Sequence, residues 1–276
     1  VILVELRKLF TRPRTWVAFG LLCGMPAVVA GFLATTRLAP PPGQGAAFLS
    51  AVLADGSLYP AAAMAMVVPI FLPVAVAVLA GDAVAGEAAG GTLRYLLARP
   101  VGRTRLLVAK LVALTVFVLC SVLLVAVTSY VTGVLLFGSA PAAAVGQPGG
   151  VTSLSGVALT PAQLALRLAG AVGFITVSML GVAAIALFLS TVTDSSLGAA
   201  LGTLALLVTS EILVTLDAAA SVRPYLPTLH WLAWVDFFRV PIFWRDIDQG
   251  LLVQAVYIVL LVGASWANFM TRDITS

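Results

Sequence analysis

Apolar residues run along this chain in long blocks separated by short polar segments. An α-helix rises 1.5 Å per residue, so about 20 apolar residues cross a hydrocarbon core of ~30 Å. Blocks of that length occur at about residues 16–36, 56–81, 106–137, 164–193, 195–216 and 249–271. Charges intrude only near their ends, as with Lys110 and Arg167, and at Glu211 in the fifth block. A backbone in lipid has to satisfy its own hydrogen bonds, so the pattern predicts six transmembrane helices. No stretch alternates with a period of two, as a transmembrane barrel would. The expected fold is an all-α integral membrane protein, a single transmembrane domain over residues 1–276.

The shorter patterns refine this. Residues 2–12 place Ile2, Leu3, Leu6, Leu9 and Phe10 on one helical face and Glu5, Lys8 and Arg12 on the other. This predicts an amphipathic helix lying in the membrane interface. Pro69 and Pro73 predict a kink or local unwinding in the second span, because each removes a backbone donor. Residues 82–110 form a basic connecting loop, and Thr92 to Ala98 within it reads as a short helix after Gly90-Gly91, ended by Pro100 and Gly102. Residues 138–162 are rich in Gly, Pro, Ser and Ala and read as a polar loop. Residues 217–248 hold three of the five tryptophans, which predicts short amphipathic helices resting at the opposite interface.

Composition closes off other classes. The chain is 61% hydrophobic and 9% charged, where soluble domains average about 25% charged residues. Neither a soluble fold nor a disordered chain fits. The net charge of +4 matters less than its placement. Arg7, Lys8, Arg12, Arg14, Arg94, Arg99, Arg103, Arg105, Lys110 and Arg272 fall on one side of a six-span layout; Arg37, Arg167, Arg223, Arg239 and Arg245 fall on the other. The positive-inside rule makes the richer side cytoplasmic, with both termini inside a multi-pass protein of the cytoplasmic membrane. The Ala, Gly and Arg bias is that of a GC-rich bacterial genome. The first apolar run is too long for an ordinary signal peptide and reads as an uncleaved span.

Catalytic signatures are missing. The only lysines, Lys8 and Lys110, follow Arg7 and Ala109, so there is no Walker A sequence. HExxH and GxSxG are absent, and Cys23, Cys120 and His230 do not assemble a metal-site spacing. No nucleic-acid module appears, so the basic residues have the lipid bilayer as their default partner. The chain reads as a non-enzyme with no cofactor of its own. Arg167 and Glu211 lie at similar depths and are expected to form an intramembrane ion pair. Gly20 and Gly24 in the first span, and Gly198 and Gly202 in the fifth, form GxxxG pairs that permit close helix packing, within the chain or with a second copy.

The layout, the amphipathic N-terminal helix and the stretch Glu87-x-x-x-Gly91-Thr92-Leu93-Arg94-Tyr95-Leu96-Leu97-Ala98-Arg99-Pro100 resemble the permease subunit of ABC-2 type ABC transporters, the type V exporters. The ending NFMTRDI at 268–274 is similar to that family's, although one Arg precedes Asp273 where two are common. The resemblance covers essentially the whole chain. It implies two permease copies, identical or related, each above one of two nucleotide-binding ATPase subunits. ATP and Mg2+ would then bind only to those partners. It assigns Gly91, Thr92, Leu93, Arg94, Tyr95, Leu96, Leu97 and Arg99, after the acidic Glu87, to a coupling helix seated in the ATPase. Glu5, Lys8, Phe10 and Arg12 belong to an interfacial helix that also touches it. Spans one and five, with Gly20, Gly24, Gly198 and Gly202, would form the dimer seam. The expected function is ATP-driven export of an amphipathic or hydrophobic substrate such as a drug, lipid or peptide, in the manner of multidrug efflux. A non-transporting scaffold or regulatory subunit and an ion-coupled secondary transporter are the alternatives.

Overall fold

The computed structural model describes residues 1–38, 47–53, 55–90, 102–138 and 153–271. Eight α-helices occur among them: α1 (Ile2–Thr11), α2 (Pro13–Thr36), α3 (Tyr59–Val67), α4 (Phe71–Ala89), α5 (Arg103–Phe137), α6 (Pro161–Val192), α7 (Ser196–Thr215) and α8 (Trp244–Thr271). Six of these are long and apolar enough to cross a membrane: α2, α4, α5, α6, α7 and α8. The all-helical expectation holds for the described residues, and the chain is a multi-pass membrane protein by length and composition of its helices.

Local chemistry sets the boundaries. Arg12 is extended (φ −79°, ψ 129°) because Pro13 follows it, and that single residue separates α1 from α2. Thr160 caps α6 through a capping box with Gln163, and Pro161 occupies the first helical position. Ser195 caps α7 by accepting from the Gly198 amide. Gly138, at φ +77°, ends α5 in a conformation that suits glycine.

The second span departs from its expected bounds of 56–81. It starts as a buried 3-10 turn (Gly56–Leu58) and α3, breaks over 68–70, and resumes as α4 to Ala89. Pro69 sits in the break and Pro73 in the first turn of α4, so the predicted unwinding occurs where the two donors are missing. The break shifts the apolar length of α4 along the chain, and Asp82 and Glu87 become helical residues rather than loop residues. The third span begins at Arg103. Most of the expected 82–110 loop is therefore helix, because α4 and α5 keep their ladders until Gly90 and Gly102 interrupt them.

α6 lies at the centre, packed against α4, α5, α7 and α8. Two close approaches lock the bundle. Gly81 of α4 lies against the backbone of Ala200 on α7. Ser190 of α6 inserts its hydroxyl into the α4 ladder: it accepts from the Val84 and Ala85 amides at 3.0 and 2.9 Å and donates to the Gly81 carbonyl at 2.6 Å. Between α7 and α8, three 3-10 turns (Asp217–Ala219, Arg223–Tyr225, Ala233–Phe238) form a cap over one end. The cap is more than an interfacial belt. Trp231, Trp234 and Phe238 are buried core residues, and Phe48 packs against Trp234 and Phe238. Tyr225, Phe243 and Trp244 remain exposed, as an interface anchor would.

Candidate functional site

The end of the bundle opposite the cap holds two adjoining ion-pair clusters. The first unites three helices. Lys110 of α5 meets Glu87 of α4 at 2.7 Å and Glu5 of α1 at 3.6 Å. Lys8 of α1 meets the other Glu87 oxygen at 2.9 Å and Glu5 at 3.2 Å. In the second, Asp82 of α4 receives Arg12 at 2.8 Å and Arg14 at 2.9 Å, from the α1–α2 junction.

The geometry follows from helix periodicity. Glu5 and Lys8, three apart, share one face of α1. Asp82 and Glu87, five apart, point to different sides of α4, so each finds its own cations. Lys110, Glu87, Asp82 and Glu5 are all buried. Charges removed from water are retained only when paired, and here each carboxylate has two cationic partners. Burial disfavours the Lys8 ammonium, but the hydrogen bond and charge of Glu87, reinforced by Glu5, outweigh it and hold the amine above its ordinary 10.5.

α1 is held by these two clusters as by a latch. Its acid–base face turns inward onto α4 and α5, while Leu3 is 81% exposed and Ile2 and Val4 are also exposed. The polar face is taken up by the latch, and the apolar face is divided: its first turn is exposed and Leu6 is half-buried. Phe10 lies on the exposed side and Leu9 is buried. The same end gathers the close of α8. Arg103 donates to the Phe269 and Met270 carbonyls at 3.2 and 2.9 Å, and Asn268 donates to the Thr191 carbonyl at 2.8 Å. The start of α1 and the end of α8 thus share one end of the bundle.

The acids and bases of the latch neutralise one another, and no group of three or more potential metal ligands occurs among the described residues. Of the residues anticipated from the sequence, Glu5, Lys8, Arg12 and Glu87 are brought together here. Gly91, Thr92, Leu93, Arg94, Tyr95, Leu96, Leu97 and Arg99 lie outside the described residues. Asp82, Arg14 and Lys110 were not anticipated as partners; the available signal was two carboxylates five apart near the end of an otherwise apolar helix.

Arg167 and Glu211 do not form the expected pair. Arg167 donates to the Phe237 and Arg239 carbonyls, each at 2.9 Å, while Glu211 is exposed on α7 and interacts with Thr228. The carbonyls at the end of the Ala233–Phe238 turn are unsatisfied acceptors that fit a guanidinium, and they capture it. Gly20 and Gly24 meet nothing from the rest of the described chain, whereas Gly202 packs on Leu189 and Gly198 on its own cap residue Ser195.

Residues 27–275 match a family described as a protein of unknown function, DUF2705. No curated protein matches the chain.

Proposed function

The chain belongs to the DUF2705 family, a family of unknown function, and from the sequence resemblance and the buried ion-pair latch we propose that it is the membrane-spanning permease subunit of an ATP-driven exporter of the ABC-2 type. It moves an amphipathic or hydrophobic substrate across the cytoplasmic membrane. A separate ATPase subunit, which alone binds ATP and Mg2+, docks on the segment between α4 and α5. Both termini are cytoplasmic in this reading.

The observation that supports the reading is the latch. α1 and the segment between α4 and α5 are the two regions that the sequence resemblance assigns to the ATPase. Glu87, Lys8, Lys110 and Glu5 tie α1 to the two helices flanking that segment. A partner that moves either region moves both, along with two spans. ATP binding drives a permease only through contacts that differ between two conformations, and a rigid joint at the base of two spans passes such a difference into the bundle. The open surface at Gly20 and Gly24 on α2 supports a seam with a second copy.

Gentle affinity purification from native membranes, followed by native mass determination, tests the reading. The expected result is two permease copies with two Walker-motif ATPase subunits. A complex without an ATPase, under conditions that preserve known transporter assemblies, overturns it and favours a scaffold or an ion-coupled carrier. Arg94→Glu separates coupling from folding better than Glu87→Ala, because Glu87 is buried in the latch. The expected phenotype is an intact assembly in which ATP hydrolysis no longer drives transport.

A further inference from the structure

At the cap end, the Arg223–Tyr225 turn, with Ala220, Leu229 and His230, stands beside α8 and borders an open groove of about 880 Å³. Leu252, Val253, Val256 and Leu260 of α8 form its apolar wall, with Leu252, Val256 and Leu260 exposed, and Leu229 and Pro224 line the facing side. Its mouth is basic, with Arg223, Arg245 and His230. No carboxylate lines the groove among the described residues. Two acids act from beside it. Asp217 approaches Arg223 at 3.7 Å, but its side chain is fully exposed, and such a pair is weak. Asp246 acts on His230 from the first turn of α8.

Cation is left over. The Arg223 Nε is buried and has no hydrogen-bond partner among the described residues. An unpaired buried N–H carries a desolvation penalty that an incoming acceptor removes. Arg245 is exposed at the mouth and makes no ion pair among the described residues. Below this basic level, the apolar wall from Leu252 to Leu261 spans nine steps of helix, about 14 Å. That is close to half of a ~30 Å hydrocarbon core, the depth of one leaflet. A cationic mouth above one leaflet of apolar wall has the dimensions of a phospholipid. A small anion would leave the wall unused, and basic pockets between membrane helices bind anionic headgroups.

We propose that this groove binds one anionic phospholipid from the leaflet on the cap side, its phosphate between Arg223 and Arg245 and one acyl chain along Leu252, Val256 and Leu260. The assignment concerns this chain alone and does not rest on the exporter reading.

Native mass spectrometry of the full chain, delipidated in detergent and then offered equal phosphatidylglycerol and phosphatidylcholine, tests it. The expected result is retention of one phosphatidylglycerol with a preference of about tenfold. Arg223→Gln/Arg245→Gln brings the two lipids to parity. Val256→Trp fills the trough, keeps both arginines and lowers retention of both lipids; a thermal unfolding scan confirms that each variant is folded. Equal retention of the two lipids by the unmodified chain overturns the proposal. So does a preference that survives the double arginine change. Displacement of the lipid by equimolar glycerol phosphate overturns it as well, because the site would then belong to a soluble anion.

Discussion

Lys110 of α5 and Glu87 of α4 meet at 2.7 Å with side chains 2% and 5% exposed. They are among the least accessible charges in the described chain, and they sit where an apolar bundle meets its polar end. Neither charge is stable there alone. Their joint presence fixes how α4 and α5 approach one another and where α1 lies across both.

Breaking one side of this pair should therefore cost far more than removing both. Lys110→Met removes the closest cation from Glu87, and a buried pair broken from one side loses about 3–5 kcal/mol. Glu87→Gln leaves the buried Lys110 with only the longer ion pair to Glu5, at 3.6 Å, among the described residues. The double variant leaves Glu5 and Lys8 as a balanced pair at 3.2 Å. Thermal unfolding in detergent should place the double variant nearer the unmodified protein than either single one. Additive losses would mean that the two charges act independently.

The hydroxyl of Ser190 serves three backbone groups of α4 at once. Ser190→Ala leaves buried polar groups of α4 without that partner, each worth about 1–3 kcal/mol if it finds no other. Faster amide hydrogen exchange at Val84 and Ala85, with a lower melting temperature, is the expected result. Unchanged exchange at both amides would show that the α4 ladder closes without Ser190.

Much of this architecture was legible in the residue pattern. Six spans follow from apolar length alone, and the α4 break follows from two prolines four apart. The amphipathic character of α1 was readable, but which face meets protein was not. Glu5 and Lys8 meet partners 79 or more residues away, and a linear pattern carries no azimuth. The same gap misassigned Arg167 and Glu211. Depth can be counted along a helix, but the direction a side chain leaves it depends on neighbours such as the cap. Lys110 was legible as a charge near a span end and Glu87 only as a loop residue; their meeting depends on α4 extending to Ala89.

Gly133 of α5 faces Gly56 and Tyr59 so closely that a Cβ there would overlap the Gly56 carbonyl oxygen and the Tyr59 Cβ. Gly133→Ala must push α5 away from the 3-10 turn that starts the second span, and overpacking of this kind costs about 1–3 kcal/mol. Gly20→Ala meets nothing among the described residues and lies inside α2, so its expected effect is no loss of monomer stability and a gain of up to about 1 kcal/mol from helix propensity. Comparing the two melting temperatures checks both statements.

Burial pushes the His230 imidazole below its ordinary 6.5, with Asp246 offsetting part of the effect. The unfolded chain then takes up this proton first as pH falls, so stability present above about 6.5 is lost on acidification. Melting temperature measured from about pH 7.5 to about pH 5.5 should fall more steeply for the unmodified protein than for His230→Gln. Parallel curves would show that titration of other groups accounts for the decline.

Arg167 separates two pictures of the cap. In an ion pair with Glu211, reversing both charges restores what either reversal loses. In the observed geometry, Arg167 holds the carbonyls of Phe237 and Arg239, and no carboxylate is part of the arrangement. Arg167→Met should destabilise the cap, since hydrogen bonds from a charged donor are worth about 1.5–3 kcal/mol. Glu211→Gln should change stability little, because Glu211 is exposed on α7. Arg167→Glu/Glu211→Arg should then be no more stable than Arg167→Glu alone, because a carboxylate at 167 repels the two carbonyls whatever stands at 211. Intrinsic fluorescence of Trp231 and Trp234, buried in the same cap, gives a local readout beside the melting temperature. Recovery of both signals in the double reversal would restore the ion pair and displace the carbonyl contacts.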